Sequence, residues 1–176
     1  MNSRNVPTAI IQDVFSLDPN VLASLGIRVL LMDLDNTLVP YGMGTPEPRA
    51  KEFVASLKAV GILPVICSNG LSHRVAGLAE ELGIEAHGFL RKPCSGPLRR
   101  LIVEKGWKPA EILFVGDQIQ TDVRAANGAG IRVLLSEPLW PKEPIWTKLN
   151  RFFEKTKRKK VNLMLKGKDW KEALTQ

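Results

Sequence analysis

Cysteine is nearly absent from this 176-residue chain. Cys67 and Cys94 are too few for a disulfide framework, and no Cys-x-x-Cys spacing offers a zinc site. No apolar run approaches the roughly 18 residues of a membrane span. The opening "MNSRNVPTAIIQDVF" lacks a cationic-then-apolar signal pattern, so export is not expected and a reducing cytoplasm is. There is no internal repeat, and the low-complexity content is a basic run at 155–160. Net charge is missing from most of the chain: residues 1–144 hold 15 Lys+Arg and 15 Asp+Glu, while residues 145–176 hold 10 and 3, which is the whole +7. Any argument about anionic partners therefore belongs to the C-terminal stretch.

What is present is a soluble, globular composition, 44% hydrophobic and 24% charged, in a length that suits one domain. Short apolar strands alternate with amphipathic helical patterns. Strands are expected at "IRVLLMD" (27–33), "ILPVICS" (62–68), the weaker "IEAHGFL", "EILFVGD" (111–117) and "IRVLLS" (131–136). Between them "PEPRAKEFVASLKAVG" places Ala50, Phe53, Val54, Leu57 and Val60 on one helical face. "SHRVAGLAEELG" does the same with Val75, Leu78, Ala79 and Leu82. "GPLRRLIVEKG" and "TDVRAANGAG" are further helices, and "LDPNVLASLG" is a leading one with Asp18 as N-cap and Pro19 in its first turn. This alternation predicts an α/β, Rossmann-like parallel sheet with helices on both faces. The expected divisions are an N-terminal segment 1–26, a catalytic domain 27–144 and a basic amphipathic extension 145–176.

In such a sheet the chemistry lies at the carboxyl ends of the strands. There the sequence puts Asp33, Asp35, Asn36 and Thr37, then Ser68, Asn69 and Gly70, then Lys92, then Gly116, Asp117 and, one turn on, Asp122. Aspartate is a poor strand residue and a buried carboxylate is costly without a partner, so a hydrophobic strand that ends in two of them needs a reason. Singly these are weak signals, since Asp-Asn beside a turn is ordinary turn chemistry. Ser68 and Asn69 also suit a helix N-terminus, which itself favours anions. The conjunction, in this order and on these elements, is specific.

"DLDNT", "SNG", "RKP" and "GDQIQTD" together resemble the four motifs of the haloacid dehalogenase superfamily of phosphohydrolases, over residues 27 to about 136. The form of the first motif and the close spacing look most like the YqeG-type branch of subfamily IIIA, related to phosphatidylglycerophosphate phosphatases of mitochondria and chloroplasts. The resemblance implies that Asp33 is a nucleophile forming an aspartyl-phosphate. It implies that Asp35 is the general acid and base. It further implies that Asp33, the backbone carbonyl of Asp35 and Asp117 bind Mg²⁺, a hard cation suited to oxygen ligands. Ser68 and the Asn69 backbone N–H would hold phosphoryl oxygens, and Lys92 would neutralise the transferring group. Asp122 and Thr37 would stand behind these residues. His73, His87, Cys67 and Cys94 read as structural or surface residues.

Members of this superfamily commonly take their specificity from cap domains. Here only about 30 residues separate Asp35 from Cys67, most of them one helix, and Asn69 to Lys92 holds one helix and one short strand. A capless, open site is expected, with "VPYGMG" (39–44) as a small flap. In the extension, Ile145, Trp146, Leu149, Phe152 and Phe153 share a helical face, with Lys148, Arg151, Lys155 and the run through Lys157, Arg158, Lys159 and Lys160 off it or beyond it. That pattern suits either a last helix packed on the domain or a helix on an anionic membrane, with residues 145–168 as the contact and the protein peripheral at an inner membrane face. An open site and a basic extension point to a phosphate-monoester substrate, a lipid first. Nucleic-acid ends or soluble phosphometabolites are the alternative, though no aromatic stacking motif lies on the expected strands. A docking protein with vestigial activity is the third reading, against which the intact Asp33, Asp35, Lys92 and Asp117 speak. Nothing in the pattern bears on oligomeric state.

Overall fold

The computed structural model describes residues 3–70, 73–140 and 148–175, with residues 148–155 described by backbone alone. Six parallel strands form one sheet: β1 (Ala9–Ile11), β2 (Val29–Met32), β3 (Leu63–Cys67), β4 (Glu85–His87), β5 (Ile112–Gly116) and β6 (Arg132–Ser136), in the order β1-β6-β5-β2-β3-β4. β2, which precedes Asp33, lies between β5 and β3. The helices are α1 (Pro19–Ser24), α2 (Pro48–Ala59), α3 (His73–Leu82), α4 (Ser95–Glu104), α5 (Arg124–Ala129), α6 (Lys148–Met164) and α7 (Trp170–Thr175). This is the α/β architecture expected.

The pleat sorts β2 into two cores. Leu30 and Met32 pack with Phe53, Leu57, Leu78 and Leu82 of α2 and α3, while Leu31 packs on the other face with Leu98 and Ile102 of α4 and Ala125 and Ala126 of α5. Burial on both faces explains why β2 is apolar throughout rather than alternating. The helix boundaries follow their local signals. Asp18 caps α1 through its carboxylate and the Asn20 N–H at 2.9 Å, and Gly61, at φ +77°, supplies the left-handed residue that ends α2.

Two features were not in the sequence pattern. β1 lies inside the N-terminal segment and pairs with β6; three residues are too few to show a period. The helix expected over "TDVRAANGAG" is preceded by a single π-helical turn, Ile119–Val123, and α5 begins only at Arg124. At the other end of the chain, Val161 of α6 is buried in one core and Leu174 of α7 in the other. The Arg132 guanidinium donates to the Leu174 carbonyl at 2.8 Å. The residues 156–175 thus pack on the sheet. Of the apolar face proposed for the extension, Ile145 and Trp146 lie outside the described residues, as do the side chains of Leu149, Phe152 and Phe153 and those of Lys148, Arg151 and Lys155. Among the described residues no helix is long and apolar enough to cross a membrane.

Among the described residues no cap domain is inserted. From Asp33 to α2 the chain makes only a tight turn and a short flap, and between β3 and β4 the described residues form only α3. Asn36, at φ +63°, makes the turn, and its N–H donates to the Val39 carbonyl at 2.7 Å.

Candidate active site

Register brings the motif residues together. Met32 pairs with Ile66 on one side and Val115 on the other, so β2, β3 and β5 end level. Asp33, Ser68 and Asp117, each one residue beyond its strand, therefore share one edge. At that edge lies a cleft of about 290 Å³, lined among others by Asp33, Asp35, Ser68, Asn69, Arg74 and Lys92.

Lys92 is the centre of the cleft floor. Its Nζ donates to Asp33 Oδ1 at 2.6 Å, to Asp122 Oδ1 at 2.7 Å and to the Cys67 carbonyl at 2.9 Å. An ammonium has three donors, and all three are used. It also stands 5.4 Å from the centre of the buried Phe114 ring. Burial pulls the ammonium's pKa down, but Asp122 and Asp33 outweigh it and hold the group well above the usual lysine range, so Lys92 is a permanent cation. Asn69 seats it: the Asn69 side chain accepts from the Lys92 N–H at 2.7 Å and donates to the Lys92 carbonyl at 3.0 Å.

Asp122 is equally fixed. Its second oxygen accepts from the Gln118 N–H at 3.1 Å, across the π-helical turn. Gly116 makes room for it: a Cβ at that position would stand 2.5 Å from Asp122 Cβ and Cγ. The glycine of "GDQIQTD" is thus required by the close approach of this carboxylate, and the turn bends the chain so that Asp122 reaches back to the strand end.

Oxygens of Asp33, Asp117 and Asp122 lie within 4.8 Å of one another. Three carboxylates this close repel, and one lysine does not neutralise them. Burial raises the Asp33 pKa to about 7; Lys92 pulls it back, and Asp122 and Asp35 add to the rise. A site made of hard oxygen donors with excess negative charge fits a divalent cation. Asp122, expected behind the cation site, is itself a member of this cluster, whereas the Asp35 carboxylate is not. Thr37 is fully buried in the turn behind Asp33. Its hydroxyl finds no hydrogen-bond partner among the described residues.

Asp35 stands at the rim. Both of its oxygens accept from Arg74 Nη2, at 2.6 and 2.8 Å, and Oδ1 accepts also from the Gly42 N–H of the flap at 3.3 Å. Arg74 Nη1 donates to the Met43 carbonyl at 2.9 Å. Nothing in the sequence pattern marks Arg74, one residue into α3 beside His73. A second arginine went unread as well. Arg158, inside the basic run, donates to the carbonyls of Asp117 at 2.6 Å and Ser136 at 3.1 Å, and its Nη1 lies 2.8 Å from Glu137 Oε1. It anchors α6 to the backbone of Asp117, a member of the carboxylate cluster. Cys67 is buried, with its thiol pushed up to about 12 by burial, and Cys94 is exposed; both are free.

A parallel sheet with helices on both faces, whose strand ends gather a lysine-bound aspartate and a carboxylate cluster, suits a hydrolase that handles phosphoryl groups. A family model for haloacid dehalogenase-like hydrolases matches residues 40–130. The chain is 30% identical over 150 residues, 85% of its length and 87% of the other's, to the "Probable phosphatase YqeG" of Bacillus subtilis (strain 168). It is also 30% identical over 137 residues, 72% of its length, to the chloroplastic phosphatidylglycerophosphate phosphatase 1 of Chlamydomonas reinhardtii, of which it spans 51%. A HAD-family hydrolase structure from Streptomyces avermitilis MA-4680 superposes with a TM-score of 0.50 at 18% identity, over 74% of this chain and 87% of that one, which speaks to the fold. The chain belongs to the haloacid dehalogenase-like hydrolases, and its enzyme class is phosphatase.

Proposed function

We propose that the protein is a Mg²⁺-dependent phosphomonoester hydrolase that works through an aspartyl-phosphate on Asp33, with phosphatidylglycerophosphate as its substrate. One observation carries the reaction. Asp33 is held by a buried ammonium at 2.6 Å, yet its side chain keeps 16% exposure while those of Lys92 and Asp122 keep 2%. It is the member of the floor cluster that a substrate in the cleft can reach.

In this reading an Asp33 oxygen attacks phosphorus and the bond from phosphorus to the alcohol oxygen breaks. Asp35 passes a proton to the departing oxygen. Water then attacks the same phosphorus, Asp35 takes its proton, and the bond to Asp33 breaks to release inorganic phosphate. Lys92 orients Asp33 and offsets its charge throughout. Asp33, Asp117 and Asp122, with the Asp35 carbonyl, would hold Mg²⁺, which would supply the remaining positive charge that an anionic ester needs beside an anionic nucleophile. Ser68 and Asn69 also line the cleft, and the Ser68 hydroxyl and the Asn69 N–H would receive phosphoryl oxygens.

The lipid assignment rests on the capless, open cleft, on the relative named for phosphatidylglycerophosphate, and on the outer face of α6. There Lys159 and Lys160 are exposed, and Leu163 and Met164, three to four residues on, are 75% and 57% exposed. Cations beside exposed apolar side chains suit an anionic bilayer surface. Arg158 is committed to the domain and stands outside that surface. The test is a phosphate-release screen with and without Mg²⁺ over phosphatidylglycerophosphate, nucleotides, 5′-phosphorylated RNA, sugar phosphates and phosphopeptides. Phosphatidylglycerophosphate should give the highest kcat/KM. A better soluble substrate would overturn the lipid assignment, and no release from any would overturn the reaction.

A further inference from the structure

Among the described residues the cleft is lined by two cations, Lys92 and Arg74, and they differ in what they are free to do. Lys92 has spent its three donors on Asp33, Asp122 and a carbonyl, and it is buried. Arg74 is at the rim with its side chain 28% exposed, and its partner Asp35 is 29% exposed. Its Nη2 reaches both Asp35 oxygens and its Nη1 holds the flap at Met43. A guanidinium only donates. While Nη2 sits across both oxygens of Asp35, a donor occupies the face of the carboxyl that has to meet the leaving oxygen. The pair is only part-buried, so solvent can rehydrate both groups as they separate and another anion can exchange for Asp35.

We propose that Arg74 is the receptor for a second anionic group on the substrate, a phosphodiester or a carboxylate a few bonds from the scissile phosphomonoester. When that group arrives, the guanidinium turns from Asp35 to it and both Asp35 oxygens are left to face the leaving oxygen. The geometry favours this pairing because Arg presents a planar fork suited to phosphate and carboxylate oxygens, and because α3 sets its start beside the cleft mouth. The flap moves with the exchange, since Arg74 Nη1 and the Asp35 carboxylate are what hold Met43 and Gly42. Selectivity for a substrate with two anionic groups is thus built into the same contact that holds Asp35 at the rim. The inference rests on the phosphatase reading above and deepens it.

The experiment compares kcat/KM, with Mg²⁺, for three water-soluble phosphomonoesters. Propyl phosphate carries no second anion. Glycerophosphoglycerol phosphate carries a phosphodiester, and 2-phosphoglycolate a carboxylate. The wild-type enzyme is expected to prefer one or both of the second-anion esters to propyl phosphate by tenfold or more, and the better of the two identifies the group. In Arg74→Gln that ratio should fall by about tenfold, equivalent to about 1.4 kcal/mol, and in Arg74→Lys by less. Thermal melting of each variant checks that it is folded, and because each ratio is taken within one protein, partial loss of active enzyme cancels. If Arg74 only orients Asp35, all three esters lose by the same factor and the ratio stays at its wild-type value, which overturns the proposal. A wild type that hydrolyses all three equally overturns it too, with the phosphatase reading intact. A wild type that hydrolyses none of the three overturns this inference, while the phosphate-release screen that includes the lipid decides the proposed reaction separately.

Discussion

The floor of the cleft and its rim are both built from aspartates facing a cation, and they differ in almost every physical respect. On the floor, Lys92 and Asp122 are 2% exposed in their side chains, and each polar atom has a fixed partner supplied by a strand end, a π-helical turn or the Asn69 amide. At the rim, Asp35 and Arg74 are more than a quarter exposed and are tied to a flap. A buried pair that loses one partner leaves a charge without solvent, so the floor cannot rearrange cheaply. A rim pair that separates is rehydrated, so it can. The comparison teaches that the same residue types, set a few ångströms apart in depth, serve preorganisation in one place and exchange in the other.

Breaking the floor at the proposed nucleophile has the largest expected effect. Asp33→Asn keeps the shape and removes the attacking group, and phosphate release should fall on the order of 10⁶-fold. Circular dichroism should show an unchanged fold. Lys92→Met comes next. It leaves Asp33 and Asp122 buried without their ammonium, at a cost of about 3–5 kcal/mol in stability. Urea unfolding reads that loss, and Mg²⁺ should recover part of it. Arg74→Met, the matching change at the rim, should cost about 1 kcal/mol or less by the same measurement. Equal losses in the two variants would erase the distinction between floor and rim.

Gly116→Ala tests the floor through sterics alone. The new Cβ would lie 2.5 Å from Asp122 Cβ and Cγ. The carboxylate must move off Lys92, with a stability loss of about 1–3 kcal/mol and weakened Mg²⁺ binding by calorimetry. Wild-type affinity in this variant would mean that Asp122 is not needed at the cation site.

The Asp33 carboxyl gives a pH signature. Its folded pKa of about 7 is above the ordinary 3.8. Between those values the cation-free native state holds a proton that the unfolded chain has released. Stability contributed by this group is therefore complete below about 3.8 and is lost as pH rises toward 7. A bound cation must displace that proton, so added Mg²⁺ should raise Tm more at pH 8 than at pH 5.5. An equal gain at both would contradict the shifted carboxyl.

Away from the cleft, the surface of α6 is tested separately. Neutralising Lys157, Lys159 and Lys160 should weaken co-sedimentation with anionic vesicles by about 1 kcal/mol per charge, more at low salt than at high. Wild-type sedimentation by that variant would remove the membrane role. Arg158→Ala instead should lower stability by about 1–3 kcal/mol, because it strips a charged donor from two carbonyls.

The floor was legible in the sequence because it is carried by strand ends. Apolar runs closed by Asp33, Ser68 and Asp117 set a parallel sheet, and a parallel sheet sets one edge. Lys92 was legible only through the order of the motifs, since a lysine before a proline carries no local signal. What stayed hidden has two causes. Ala9–Ile11 is too short for a period to separate strand from loop. Arg74 and Arg158 have long side chains whose heads end far from their own Cα atoms, so a pattern can place them on a helix but not show what they reach. Arg158 shows the consequence: a basic run that reads as a solvated or membrane-facing surface contains one guanidinium turned inward to Asp117. The π-helical turn that brings Asp122 back to Lys92 is likewise a tertiary solution, with Gly116 as its only local trace.

The covalent step is where the account is most exposed. Mixing the enzyme and Mg²⁺ with a phosphomonoester that it hydrolyses, quenching in acid within one turnover and analysing the peptides by mass spectrometry reads it directly. The account predicts a phosphoryl group on Asp33 that forms and decays at rates consistent with kcat and is absent from Asp33→Asn. A phosphoryl group on another residue, or full turnover by Asp33→Asn, would contradict it.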